Sequence, residues 1–70
     1  MYEYARLVAQ DNYIEIFFAK TKKSRTFSCT SDATNELASL GFRMITHTFG
    51  KSGNGKFTEI YMFERLIKDD

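Results

Sequence analysis

The stretch Ser31–Thr48, SDATNELASLGFRMITHT, reads as a capped helix, a tight stop and a strand in succession. Ser31 and Asp32 are both good N-cap residues, because a side-chain oxygen can accept from the free N–H groups of the first turn. Glu36 lies close enough to the helix start for its charge to complement the dipole. Ala33, Leu37 and Leu40 fall at i, i+4 and i+7, which places them on one face, and Thr34, Asn35 and Ser39 supply the polar remainder. Gly41 sits where a left-handed C′ residue belongs. Phe42 follows as C″ and is positioned to touch Leu37 at C3, the pairing of a Schellman stop. A helix this short needs packing to hold it, and the rest of the chain offers only strand-like segments to pack against.

Upstream, Tyr2–Ala9 reads as a strand, Gln10-Asp11-Asn12 as a turn and Tyr13–Ala19 as a second strand, giving a hairpin. Ile14, Ile16 and Phe18 share one side of it; Tyr13, Glu15 and Phe17 share the other. Lys20–Arg25, KTKKSR, reads as a basic loop, and the alternation around Phe27 and Cys29 as a short third strand. Cys29 itself reads as a small buried hydrophobe. Downstream, Phe42–Phe49 and Phe57–Ile67 read as strands joined by the glycine-rich loop Gly50–Lys56. The order β-β-β-α-β-β predicts an α+β domain spanning residues 1–70, an antiparallel sheet of four to five strands with a single helix on one face.

The segments Tyr2-Glu3-Tyr4, Asn35-Glu36-Leu37, Gly41-Phe42-Arg43-Met44 and Tyr61-Met62-Phe63-Glu64-Arg65 together resemble a family of short bacterial and phage proteins catalogued as a domain of unknown function. That family opens with a Tyr-Glu-Tyr strand, has a helix ending in Gly-Trp-Glu-Leu, and closes with two antiparallel strands. Here Phe42 stands for the tryptophan and Arg43 for the acid, and residues 10–31 add a hairpin. The resemblance implies a fold and no activity.

Composition narrows the function classes. A formal net charge of +1 demands neither a nucleic acid nor an acidic partner. The one cysteine, Cys29, cannot form a disulfide within the chain and suits the reducing cytoplasm. Neither a signal peptide nor a long apolar run is present, so neither secretion nor a membrane span is expected. Aromatic residues make up 16% of a chain with no tryptophan, a load that suggests aromatic surface beyond what one helix covers.

Pairing the last two strands symmetrically about Gly53 sets Phe49 against Phe57, His47 against Glu59, Ile45 against Tyr61 and Arg43 against Phe63. Phe42, Met44, Thr46, Thr58, Ile60 and Met62 then take the helix. Ile45, His47, Phe49, Phe57, Glu59, Tyr61 and Phe63 are left on an open face, and a contiguous apolar patch of that kind marks an interaction site.

No catalytic residue, metal site or cofactor is expected. Gly50-x-x-x-x-Gly55-Lys56 approaches a phosphate-binding loop, but Phe57 replaces the magnesium-holding hydroxyl and a strand follows where a helix is needed. His47 beside Glu59 lacks a nucleophile and an oxyanion donor, so the pair is not a mechanism. A single His and a single Cys give no metal-ligand spacing. The expected function is therefore a non-enzymatic interaction module, self-associating as a dimer or docking a protein partner, as a regulatory or inhibitory protein would. Phe49, Phe57, Tyr61 and Phe63 are its anchors, and His47 and Glu59 fix its register. The alternative is nucleic-acid binding through Lys20, Lys22, Lys23 and Arg25, with Tyr2, Tyr4, Tyr13 and Phe17 as stacking surfaces. A second alternative is a small anionic ligand held between subunits beside Lys51 and Lys56.

Overall fold

The computed structural model describes residues 1–10, 13–51 and 57–67. Its elements are β1 (Tyr2–Gln10), β2 (Tyr13–Phe18), β3 (Lys23–Phe27), α1 (Thr30–Ser39), β4 (Arg43–Lys51) and β5 (Phe57–Leu66). They form one antiparallel five-stranded sheet in the order β3-β2-β1-β5-β4, with α1 packed on one face. The α+β arrangement expected from the sequence is the one observed.

The core follows from strand alternation. Ala5 faces Phe18 and Phe63, Leu7 faces Ile16 and Tyr61, and Ile14 faces Ala9 and Phe27. Side chains one residue apart point to opposite sides of a sheet, so these all share the face beneath the helix. There Ala5, Leu7, Ile14, Ile16 and Phe63 join Ala33 and Leu37 of α1 and Phe42 beyond it as the buried cluster.

The helix departs from its expected start. Its N-cap is Cys29, extended and without a side-chain cap bond, while Ser31 and Asp32 fall within the first turn. Cys29 is therefore a half-buried cap residue rather than part of a strand. At the other end the stop is as expected. Gly41 takes φ +89°, its N–H donates to the Ala38 carbonyl (3.0 Å), and the Phe42 N–H donates to the Leu37 carbonyl (3.0 Å). Those two bonds define the Schellman motif. Leu40 is the C-cap and is exposed, so it does not share the buried stripe of Ala33 and Leu37.

Two expectations about strands are corrected. The KTKKSR segment is not wholly a loop: β3 begins at Lys23, and only the turn before it is irregular, with Lys22 at φ +57°. The β4–β5 register is also different. Phe49 faces Glu59, His47 faces Tyr61 and Lys51 faces Phe57, two residues away from symmetry about Gly53, and a bulge between Met44 and Thr46 leaves Ile45 as the extra residue. Beyond the bulge Met44 faces Phe63 and Arg43 faces Glu64.

The bulge explains why the expected face assignment fails. Phe42 is held near Leu37 by the helix stop, and Met44 follows it onto the helix face. The extra residue then reverses the alternation, so His47 and Phe49, rather than Thr46 and Thr48, continue that face. On β5 the helix face holds Phe63, Tyr61, Glu59 and Phe57, not Met62 and Ile60. Phe63 is 6% exposed and belongs to the core.

Arg65, two residues on from Phe63, ties the helix end down. Its Nη1 donates to the Leu40 carbonyl at 2.6 Å, its guanidinium lies 4.5 Å over the Phe42 ring, and it pairs with Glu3 on β1. The cation thereby meets the negative end of the helix dipole. Phe63→Ala is expected to lower unfolding free energy by about 3–5 kcal/mol, as buried aromatic deletions do. Phe49→Ala, at an exposed site, should change it by less than about 0.5 kcal/mol. Urea unfolding at low protein concentration separates the two, and equal losses would contradict the observed register.

Candidate functional site

The helix lies over β2 and β3, and its C-terminal end meets the end of β5 at Phe42, Phe63 and Arg65. The remaining helix-face surface of β4 and β5 stays open, and all nine residues of β4 are exposed. This surface carries a row of rings. His47 stacks on Tyr61 with centroids 4.1 Å apart and planes 7° from parallel. Phe49 stacks on Phe57 at 5.2 Å and 21°. The first pair is directly cross-strand and the second diagonal, both within reach of aromatic side chains on one face.

Polar groups are threaded through the row. The Tyr61 hydroxyl donates to the Glu59 carboxylate, and His47 Nε2 stands 3.5 Å from the same carboxylate oxygen. Lys51 Nζ lies 5.9 Å from the Phe57 ring centre. A cation over a ring face is held by the ring quadrupole. The hydrogen bond to Glu59, then burial, raises the Tyr61 phenol above its ordinary range. Tyr13 is raised in the same way by its bond to Glu15 on the opposite face.

Of the residues expected at an interface, the structure thus brings together His47, Phe49, Phe57, Glu59 and Tyr61. Ile45 is exposed at the bulge, and Phe63 is withdrawn into the core beneath the helix stop. Lys51 and Met44 extend the strip at its two ends; Met44 keeps the helix face that its alternation with Phe42 predicts, and the bulge brings His47 and Phe49 onto that same face.

The basic residues are dispersed. Arg25 reaches up from β3 to pair with Glu36 of α1 and lies 5.2 Å from the Phe27 ring centre. By register Lys23 and Arg25 share the helix face, whereas Tyr2, Tyr4, Tyr13 and Phe17 occupy the other face. Lys20 alone shares a hollow with Tyr2 and Tyr4, and Glu3 also lines it. Gly50 and Lys51 belong to β4; Gly55 and Lys56 lie outside the described residues. Among the described residues no group of three or more His, Cys, Asp or Glu side chains could hold a metal ion, and no helix is long and apolar enough to cross a membrane. Comparison with protein-family models, curated proteins and solved structures found no match.

Because Glu59 raises Tyr61, the folded chain holds that phenolic proton more tightly than the unfolded chain. The linked stability is complete below the ordinary tyrosine range and is lost as pH rises through the raised value. In a Tyr13→Phe background, Glu59→Ala should move the Tyr61 phenolate titration back down toward the ordinary range. Ultraviolet absorbance reads this directly, and a titration unmoved by the substitution would contradict the bond.

Proposed function

We propose that this protein is a non-enzymatic interaction module that self-associates as a homodimer through the aromatic strip of β4 and β5. The observation that carries this is the exposed row His47, Phe49 and Phe57, continued by half-buried Tyr61 at the margin of the core on the same face. Phe49 and Phe57 are 62% and 57% exposed. The chain has already desolvated one end of a continuous apolar face, and covering the remainder removes more apolar surface from water. Small domains commonly complete their cores in this way.

The strip suits a protein partner. Aromatic rings supply the anchors of interfaces at low entropic cost. His47, Glu59 and Tyr61 supply a small polar cluster that fixes orientation. His47, Glu59 and Tyr61 pair with one another, and among the described residues no Ser or Cys nucleophile stands beside them, which favours binding over catalysis. Lone Cys29 suits a reducing, cytoplasmic setting.

Sedimentation across a concentration series should show a monomer–dimer equilibrium. Phe49→Ala or Tyr61→Ala should weaken it by about tenfold or more in Kd, the effect of removing an interface anchor. Tyr13→Ala, on the other face, should leave it unchanged. Variants at Phe49 and Tyr61 that stay folded and associate as the parent does would overturn the proposal.

A further inference from the structure

The sheet has two edges, and they differ in kind. β3 is five residues long, carries Lys23 and Arg25, and is bridged to the helix by the Arg25–Glu36 pair. Short, charged edges of this sort resist addition of another strand. β4 is nine residues long, and from Met44 to Gly50 it contains no charged side chain and no proline. Arg43 and Lys51 stand only at its ends. The bulge blunts the Met44–Thr46 end and leaves the remainder regular. An exposed edge of this length presents a row of unpaired backbone donors and acceptors to another strand.

We infer that the occupant of this edge is the β4 strand of a second copy, added antiparallel about a two-fold axis beside Thr48, so that two sheets become one of ten strands. The inference rests on the self-association proposed above and names its geometry. Two identical antiparallel strands must keep side-chain faces and hydrogen-bond phase matched, so the axis passes beside a residue that faces its own copy. About Thr46 the axis would fall on the bulge, where the ladder is disturbed. About His47 each Arg43 would face a Lys51, and like charges directly opposite destabilise. About Phe49 the overlap shrinks to residues 47–51.

About Thr48 these conflicts vanish. Thr48 faces Thr48, Thr46 faces Gly50, and Lys51 lays its stem against Ile45. The two Lys51 residues stand about 20 Å apart along the strands. On the helix face His47 of each copy faces Phe49 of the other. His47 already stacks on its own Tyr61, so the ring rows of the two copies join into one across the seam. The charge pattern therefore fits a second copy in this register: Met44–Gly50 carries no Lys, Arg, Asp or Glu, and no end cation directly faces another.

Disulfide trapping tests the register. In a Cys29→Ser background, which keeps a good N-cap residue, Thr48→Cys should form a covalent dimer under mild oxidation about tenfold or more faster than Thr46→Cys. The Thr48 positions would lie within disulfide reach, whereas the two Thr46 positions would be about 14 Å apart. Equal or faster trapping through Thr46→Cys, or no trapping at Thr48→Cys while the Cys29→Ser parent sediments as a dimer, overturns the edge pairing and leaves self-association standing. A parent that sediments as a monomer at every concentration overturns both.

Discussion

The chain leaves the sheet at one edge, β3, and re-enters at the other, β4, with a single ten-residue helix between them. That crossing is the constraint on which the structure depends. A helix of this length spans about 15 Å, while five strands span about 19 Å between their outer axes. The helix therefore lies over β2 and β3, and the chain reaches β4 only by way of the stop at Gly41 and the buried ring of Phe42. The core is small and lopsided as a result. It is complete under Ala33 and Leu37 and ends where β5 passes from Phe63 to Tyr61.

The stop is where the crossing is secured. Gly41 supplies a backbone angle that other residues adopt at a cost of about 1–2 kcal/mol. Arg65 then binds the last helix carbonyl, the Phe42 ring and Glu3 together. One side chain from β5 thus links the helix end, the start of β4 and the first strand. The Cβ of any larger residue at position 41 would sit 3.4 Å from the Arg65 side chain, so stop and clamp are packed as one unit. With this corner fixed, β4 must run away from the helix, and its rings emerge beyond helical cover.

Much of this is legible in the sequence, for identifiable reasons. The Leu37–Gly41–Phe42 spacing encodes the stop, and the alternation Ile14, Ile16, Phe18 encodes the face of β2. The start of β3 is hidden because Lys23 and Arg25 are the charges that protect an edge, and a charged edge strand reads as a loop. The β4 register is hidden because a glycine-rich connection accepts several turn geometries, and because Ile45 bulges without any residue type that announces it. His47, Glu59 and Tyr61 were nonetheless expected together, since spacing by two on one strand survives a register shift of two. The burial of Phe63 is hidden for the same reason, since one inserted residue on β4 moves every neighbour to the other face.

The uncovered half of the helix face and the uncharged β4 edge meet along the same strand. A single association event can engage both, setting the two ring rows side by side on the face and pairing backbone at the edge. Hydrogen exchange of the β4 amides that point away from β5, followed as protein concentration rises, tests this most directly. Protection growing at β4 in step with the mass of the particle, with the outward amides of β3 unchanged, is the expected result. Exchange at β4 that stays the same while the mass doubles would contradict it.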